Sequence, residues 1–314
     1  WYEDNNIEVI LRKIVEEIDV EKNIIKIDDG REIKYDKLLL ANGSRPFIPP
    51  IPGKYKQGVL ALRTLEDLKY IKEYFEKCEN ITIVGGGLLG LEAAWSIKQL
   101  GKKVNIIDHS PFVLSKQLDE EISRKLEAKL INEGFNFYLD SGAEEILGED
   151  VANGVKLNGN RIVNTDAVLI SAGVRSNLDF IRDTPIEFNR GVKVDKHMVT
   201  NIDNIYAAGD VAEVEGKVLG LWTASNEQGK IAGQNMTGNM EEYISPKPYT
   251  KLEIGDIKLF SAGDVKDFDK LFATDENITG AILYGDISGM IKIKNAVVKN
   301  LKLEEYLKDG IKFE

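Results

Sequence analysis

The chain has 314 residues, enough for two or three domains, of which 43% are hydrophobic and 30% charged. Its formal net charge of −11 disfavours nucleic acids and anionic membrane surfaces as general partners. No apolar run approaches the roughly 18 residues needed to span a bilayer. Cys78 is the only cysteine of the sequence, which excludes an internal disulfide or a C-x-x-C pair within these residues and agrees with a reducing compartment. We therefore expect a cytoplasmic protein.

The first pattern along the chain is KIDDGREIKYDKLLLANGSRP, residues 26–46, which predicts a β-hairpin and then an apolar strand that ends in a glycine turn. A similar pattern, KLNGNRIVNTDAVLISAGVRS, begins at residue 156, at a constant offset of 130 residues. A repeat of this kind predicts two copies of one supersecondary unit. The residue types that are identical in register include Lys26 and Lys156, Arg31 and Arg161, Asp36 and Asp166, Gly43 and Gly173, and Arg45 and Arg175.

Between the two copies lies ITIVGGGLLGLEAAWSIKQLGKKVNIID, residues 81–108, which predicts a strand, a glycine turn, a helix and a second strand. Gly85, Gly87 and Gly90 match G-x-G-x-x-G: they permit the tight turn, the approach of the backbone to a pyrophosphate, and close helix packing. Asp108 ends the second strand, where a carboxylate hydrogen-bonds a ribose 2′-OH and repels a 2′-phosphate. We therefore predict that this motif binds NADH rather than NADPH. A glycine turn without a ligand is the alternative.

The position of this fingerprint is unusual, because it lies upstream of the second copy of the repeat. At the same offset, the equivalent fingerprint of the first copy would fall before Trp1. We therefore expect a protein with two nucleotide sites. Roughly 50 to 70 residues that belong to the first site would then be absent from this sequence. The alternative is one nucleotide domain with an unrelated β-rich neighbour.

Further along the chain, NIYAAGDVAEV, residues 204–214, predicts a strand that ends at Gly209 and Asp210. Ligands of open α/β sheets bind at the carboxyl ends of strands, so a carboxylate there can accept hydrogen bonds from ribityl or ribose hydroxyls. The next segment, LWTASNEQGKIAGQNMTG, predicts a helix that begins near Thr223. Its N-terminus would suit an electron-rich acceptor such as the N1–C2=O edge of a flavin. Trp222 packs either on a ring or in a core or interface.

Four segments together resemble the FAD-dependent pyridine nucleotide-disulfide oxidoreductases, which have two dinucleotide-binding domains. These segments are ANGSRPFIPPIPG (41–53, with Asn42 where threonine is usual), GGGLLGLEAA (85–94), ISAGVRSN (170–177) and YAAGDVAE (206–213). Within the family the chain is most similar to NADH:rubredoxin oxidoreductases and to nitrite reductase large subunits. WYEDNNIEVI, SNLDFI and GAILYGDISG carry that similarity.

The resemblance implies hydride transfer from NADH to FAD, with Glu92 beside the flavin as the candidate nearest to the reaction, and no metal site. The residues that it implies for NADH are Gly85, Gly87, Leu88, Leu89, Gly90, Asp108, Ala172 and Gly173. The residues that it implies for FAD are Val15, Ala41, Gly43, Arg45, Glu92, Gly209, Asp210, Trp222 and Thr223.

The expected fold class is α/β, with two nucleotide-binding three-layer domains of the ββα type, the FAD one incomplete, and a small C-terminal α+β domain. The predicted ranges are 1–77 with 183–245 for the FAD-binding domain, 78–182 for the NAD-binding domain and 246–314 for the C-terminal domain. In the last domain Lys292, Lys294, Lys299 and Lys302 form a basic group. It would steer an acidic carrier such as rubredoxin, although a solvated charged face is the more common meaning.

Several functions stay open at this point. The first is an NADH oxidoreductase that passes electrons from FAD to a carrier such as rubredoxin. The alternatives within the same class are an NADH oxidase or peroxidase, or the NADH module of a nitrite reductase. The alternative of another class is an inactive fragment that binds NADH but lacks FAD.

Overall fold

The structure of the protein, a computed structural model, describes residues 1–263, 273–274 and 277–308. It divides into two compact units. Unit 1 comprises Trp1–Arg45 and Val174–Ser245, and unit 2 comprises Pro46–Gly173 and Pro246–Glu314. Within the described ranges, no helix combines the length and the apolar character that a membrane span requires. Residues 264–272, 275–276 and 309–314 of the predicted C-terminal domain lie outside the described residues.

The helices of the described residues follow the capping and periodicity of the sequence. Thr64 and Asp67, for example, form a capping box, in which each side chain accepts a hydrogen bond from the other residue's backbone N–H. The helices are α1 (Leu65–Glu76), α2 (Leu88–Gln99), α3 (Glu120–Asn132), α4 (Trp222–Met236), α5 (Met290–Lys299) and α6 (Leu303–Lys308).

The strands are short, and most of them carry β-branched or leucine side chains. In chain order they are β1 (Val15–Asp19), β2 (Ile24–Ile27), β3 (Glu32–Lys34), β4 (Leu38–Leu40), β5 (Ser44–Pro46), β6 (Val59–Ala61), β7 (Asn80–Val84), β8 (Lys103–Ile107), β9 (Asn136–Tyr138), β10 (Ala143–Leu147), β11 (Gly154–Leu157), β12 (Ile162–Asn164), β13 (Ala167–Ile170), β14 (Val174–Ser176), β15 (Val192–Val194), β16 (Ile205–Ala207), β17 (Ala212–Val214), β18 (Tyr249–Ile254), β19 (Ile257–Gly263), β20 (Ala273–Thr274), β21 (Asn277–Ile278) and β22 (Gly280–Tyr284).

The sequence repeat is confirmed as a structural repeat. Strands β1-β2-β3 form a three-stranded antiparallel sheet, and β10-β11-β12 form another. Both sheets shift register at the same place, between Val15 and Glu17 in the first and between Ala143 and Glu145 in the second. Because a β-bulge re-aims the strand that carries it, the two sheets share a detail of geometry that composition alone does not require.

The segment after each copy is also repeated, and the two segments β5 and β14 pair with each other. The N–H of Asn177 donates to the carbonyl of Gly43 at 3.0 Å, and the N–H of Phe47 donates to the carbonyl of Gly173 at 2.9 Å. At the repeat offset of 130 residues these two hydrogen bonds are equivalent, so the pairing is approximately twofold symmetric. Gly43 and Gly173 both have positive φ, +65° and +91°, as the turn requires.

The core of unit 2 is a parallel sheet in the order β6-β13-β7-β8-β9. The central strands β7 and β8 bury Ile81, Ile83, Val104 and Ile106 completely, as expected for strands that are covered on both faces. Helices α1, α2 and α3 contribute buried side chains to the same core. This is the arrangement of a dinucleotide-binding fold, whose ligands bind at the carboxyl edge of the sheet.

Unit 1 contains two parallel strand pairs, β4 with β16 and β15 with β17. Leu40, Ile205 and Ala207 of β4 and β16 are buried in a core that also includes Ile181 of the neighbouring segment. Helix α4 follows these strands and contacts the turn that comes after β16. The carboxyl ends of β4 and β16 therefore lie side by side in unit 1.

The described part of residues 246–314 packs against the hydrophobic core that surrounds the parallel sheet of unit 2. The antiparallel sheet β18-β19-β22 contributes Leu252 and Leu259 to the core that also holds Leu91 of α2. Gly255, in the turn between β18 and β19 with φ +57°, lies so close to Trp95 that a Cβ atom would overlap the indole ring. The predicted separation of an NAD-binding and a C-terminal domain stays a prediction, although both ranges share one hydrophobic core here.

Candidate functional site

The glycine turn between β7 and α2 needs two of its glycines for steric reasons. Gly85 has φ +122°, and a Cβ atom on it would overlap the carbonyl oxygen of Ser171. A Cβ on Gly90 would overlap the carbonyl oxygen of Gly85. Gly87 differs, because a Cβ there would meet nothing within 4 Å. The turn is therefore packed on its sheet side and open at the N-terminus of α2, where a pyrophosphate is expected to bind.

Asp108 is fixed beside this turn at the end of β8. One carboxylate oxygen accepts the N–H of Gly86 at 2.5 Å, and the other accepts the N–H of Ser110 at 2.7 Å. The side chain is 11% exposed, whereas His109 next to it is 90% exposed. Because each carboxylate oxygen has a second lone pair, Asp108 can accept further hydrogen bonds from ribose hydroxyls while it holds the turn.

The segment 171–173 lies against the same turn. The N–H of Ser171 donates to the carbonyl of Val84 at 2.8 Å, as the parallel pairing of β13 with β7 continues past the strand ends. This pairing places Ala172 and Gly173 next to Gly85 at the carboxyl edge of the sheet. The other two residues predicted for NADH begin α2: Leu88 is half-buried and Leu89 is 68% exposed. The structure thus gathers the predicted NADH residues at one edge.

Glu92 lies one turn into α2 and is half-buried. Burial raises the pKa of its carboxyl group, since the charged form loses its hydration. Among the described residues, its carboxylate has no hydrogen bond or ion pair. Its role beside a flavin stays a prediction.

Unit 1 holds the second predicted site, centred on Asp210. Its carboxylate accepts the hydroxyl of Ser44 at 2.8 Å and the hydroxyl of Ser225 at 3.4 Å, and its carbonyl accepts the hydroxyl of Ser176 at 2.7 Å. Gly209 before it has φ +82° and donates its N–H to the side-chain oxygen of Gln228 at 2.8 Å. Side chains from three separate segments therefore converge on one two-residue turn.

Sequence reasoning did not identify the four side chains around this turn. Ser44 and Ser176 lie in the two linker segments, which is the one feature of the sequence that could have pointed to them. Ser225 and Gln228 are three residues apart on α4, and therefore lie on the same face of the helix. Nothing in the sequence links that face to Gly209 before the fold is known.

An open apolar cavity of about 400 Å³ also lies in unit 1. Val15 and Ala41, both predicted on the FAD path, line it together with Ile18, Ile25 and Phe180. Its apolar lining suits a flat organic group better than a phosphate. The cavity and the Asp210 turn are the two features of unit 1 that fit parts of a flavin nucleotide, one apolar and one hydrogen-bonding.

The remaining residues predicted for FAD have different surroundings. Arg45 forms an ion pair with Asp179 at 2.9 Å and donates to the Asn177 side chain at 3.1 Å. Trp222 and Thr223 begin α4 and are exposed, Trp222 by 79%. The alternative that Trp222 is a core residue is therefore wrong for the described chain. No group of three or more His, Cys, Asp or Glu side chains in the described ranges is arranged to hold a metal ion.

The sequence profile of the pyridine nucleotide-disulphide oxidoreductases matches residues 2–229 of this chain. The chain belongs to this family. The predicted resemblance is confirmed, and with it the α/β fold class. Members of the family are NAD(P)H-dependent flavoprotein oxidoreductases, which use FAD and NAD(H).

Individual relatives show how much of a longer protein the chain matches. Nitrite reductase (NAD(P)H) of Bacillus subtilis is 34% identical over 333 residues, which covers 99% of this chain and 41% of that protein. NADH-rubredoxin oxidoreductase of Clostridium acetobutylicum is 33% identical and covers 95% of this chain and 78% of that protein. The chain therefore spans about two fifths of the nitrite reductase and more than three quarters of the rubredoxin oxidoreductase.

A solved structure shows the same fold. The ferredoxin reductase for the CYP199A2 system of Rhodopseudomonas palustris superimposes with a TM-score of 0.88, at 23% identity, over 97% of this chain and 81% of that chain. At this level of identity the comparison concerns the fold alone.

Proposed function

We propose that this chain is an NADH-dependent flavoprotein oxidoreductase that passes electrons to a small carrier protein such as rubredoxin. In this proposal, unit 2 binds NADH at the glycine turn and unit 1 binds FAD at the Asp210 turn. The observation that carries it is the second turn, where Ser44 and Ser225 hold Asp210 at the carboxyl end of β16. Ligands of open α/β sheets bind at this edge. FAD, when bound, supplies the group that accepts the hydride of NADH.

The residues of unit 2 bind and orient NADH. The free N–H groups at the start of α2 and the space above Gly87 suit the pyrophosphate, and the helix dipole favours its negative charge. Asp108 accepts the ribose hydroxyls and repels a 2′-phosphate, which gives a preference for NADH. Ala172 and Gly173 lie at the same edge, where the nicotinamide half would extend.

The residues of unit 1 bind and orient FAD. Asp210 would accept the ribityl hydroxyls, and the apolar cavity with Val15 and Ala41 would accommodate an organic group. The exposed N-terminus of α4, with Trp222 and Thr223, provides free N–H groups for an electron-rich acceptor. None of these roles needs a proton-transfer group, because orientation of two cofactors is the protein's main contribution to hydride transfer.

The second part of the proposal is the identity of the electron acceptor, a small carrier protein. It is supported by the name of the Clostridium acetobutylicum relative, most of whose length this chain covers. The basic group in α5 and just before α6 supports it in part. Lys299 and Lys302 are exposed, whereas the Lys294 ammonium lies 3.8 Å from the centre of the Tyr249 ring. A second candidate function, the NADH module of a nitrite reductase, is supported by the similarity over 99% of the chain.

The test begins with the visible absorption spectrum of the purified chain, before and after FAD is added. NADH is then added without oxygen. Flavin bands that bleach with NADH would support the oxidoreductase, and bands that do not bleach would contradict hydride transfer. Binding of NADH without any flavin bands would favour the inactive NADH-binding fragment.

The acceptor is tested with the reduced, flavin-loaded chain. Rubredoxin, dioxygen and hydrogen peroxide are offered separately, and reoxidation of the flavin is followed by absorbance. We expect rubredoxin to be fastest, and more so at low salt because charge attraction is screened by ions. Fast reoxidation by dioxygen or peroxide, with no response to rubredoxin, would replace the carrier proposal by an oxidase or peroxidase.

A further inference from the structure

The Gly209–Asp210 turn is closed by a backbone hydrogen bond from the N–H of Ala212 to the carbonyl of Gly209, but the N–H of Gly209 itself is held by a side chain. Strand β16 ends at Ala207 and strand β17 begins at Ala212, so neither provides a ladder partner for the N–H of Gly209. That N–H donates to Oε1 of Gln228 at 2.8 Å. Gln228 is only 3% exposed, so water is not an equivalent replacement for its oxygen.

Without the hydrogen bond to Gln228, the backbone at Gly209 would be less constrained. A Cβ atom on Gly209 would be 3.6 Å from Ser225, which is an ordinary contact, so there is room for a Cβ atom at this position. Its φ of +82° is the special feature, and a glycine visits many other backbone conformations at little cost. Contacts with neighbouring groups must therefore hold Gly209 in the observed conformation, and the Gln228 side chain makes one of them.

Helix α4 provides that group from the same face that contacts Asp210. Ser225, one turn before Gln228, donates to the Asp210 carboxylate at 3.4 Å. Gln228 is anchored by burial between Ala224 and Ile231, which are 2% and 6% exposed. A rigid helix therefore holds both the peptide before Asp210 and the carboxylate of Asp210 itself.

We propose that Gln228 is a positioning residue of the FAD site, which acts through Gly209 to hold Asp210 in the conformation that receives the ribityl hydroxyls. The inference rests on the proposed function, because it assigns Asp210 to FAD. Gln228 touches neither cofactor in this proposal. It lowers the cost of binding by fixing the turn before the ligand arrives.

The first test uses the unmodified chain and measures hydrogen exchange of single backbone amides by NMR. We expect the Gly209 amide to exchange slowly, although it lies outside the strands, since its hydrogen bond to a buried side chain must open first. Exchange as fast as in an exposed loop would overturn the inference. This measurement needs neither a variant nor bound FAD.

The second test compares two glutamine-to-methionine variants of α4. Gln228→Met keeps the length of the side chain but removes the acceptor, and Gln234→Met makes the same change at a half-buried position nearer the end of the helix. We expect Gln228→Met to speed exchange at Gly209 and Asp210 about 10-fold or more, as loss of one buried hydrogen bond allows. We expect Gln234→Met to leave it unchanged. Equal effects of both variants would contradict a specific role.

The third test separates positioning from general destabilisation. Gln228→Met should weaken FAD binding about 10-fold and change NADH binding less than about 2-fold, because NADH binds in unit 2. Equal loss of both affinities would overturn the inference. If the unmodified chain takes up no FAD, the proposed function fails, and the exchange measurements still decide the role of Gln228.

Discussion

The two copies of the repeat differ in how many strands pair with their last strand. In unit 2, β13 lies between β6 and β7, and both pairings are parallel. In unit 1, the equivalent strand β4 pairs with β16, and the described residues place no strand along its other edge. The two sequences are alike, so the local pattern determines each strand and its preceding sheet. The neighbours that complete a parallel sheet come from distant segments.

The aspartate before each strand shows the same difference at the level of one side chain. Asp166 accepts the N–H groups of Glu79 and Asn80, both at 2.8 Å, at the start of β7. Asp36, at the same place in the first copy, is exposed and has no side-chain hydrogen bond among the described residues. Asp166 therefore stabilises its sheet through two hydrogen bonds, whereas no described residue donates a hydrogen bond to the side chain of Asp36.

The largest effect is expected from the glycine turn of unit 2. Gly90→Ala places a Cβ against the carbonyl oxygen of Gly85, and such overpacking costs about 3 kcal/mol. We expect NADH binding to be lost and the melting temperature to fall, as measured by titration and calorimetry. The matched control is Gly87→Ala, whose Cβ meets nothing. That variant should keep its stability but bind NADH more weakly. Equal stability of the two variants would contradict this account of the turn.

The next effect concerns the nucleotide preference of unit 2. Asp108→Arg removes the carboxylate that repels a 2′-phosphate and adds a cation, so the ratio of NADPH to NADH affinity should rise about 10-fold or more. Titration with each nucleotide measures it. Asp140→Arg adds the same charge after β9 and leaves Asp108 in place, and it should change the ratio little. An unchanged preference in the Asp108 variant would count against its role.

The paired aspartates give a direct test of the difference between the two copies. Asp166→Ala should lower the free energy of unfolding by about 1.5 kcal/mol, since two N–H groups lose a charged acceptor. Asp36→Ala should change it by less than about 0.5 kcal/mol, as for other exposed positions. Denaturant unfolding of both variants measures this. Similar losses would show that Asp36 has an equivalent partner in the folded chain.

The smallest effect is a loss of stability in acid. Burial raises the pKa of Glu213 in unit 1, but the N–H of Gly191, the Asn189 amide and the N–H of Arg190 outweigh it, so the pKa lies below its ordinary value of 4.5. A lowered pKa means that the stabilisation is fully present above the unfolded pKa and is lost as the pH falls through the folded one. Melting temperatures should therefore fall below about pH 4.5. Glu213→Gln should flatten that dependence, and an unchanged slope would exclude Glu213 as its source.

Much of the candidate NADH site could be predicted because its residues are close together in sequence. Gly85, Gly87, Gly90 and Asp108 belong to one strand-turn-helix-strand segment, and local steric rules select their residue types. The contacts of unit 1 could not be predicted in this way. Ser44 and Asp210 are 166 positions apart, and Ser176 and Asp210 are 34 apart.

By itself the sequence determined the repeat, the glycine turn, the terminal Asp108 and the family, because each of these depends on local backbone geometry at fixed spacing. Only the tertiary structure decided that Gln228 and three serines surround the Asp210 turn, that Trp222 is exposed, and that the side chain of Asp166 accepts hydrogen bonds whereas that of Asp36 accepts none from the described residues. These features depend on which distant segments pack together. Burial and long-range hydrogen bonding set that outcome, and no short stretch of sequence contains it.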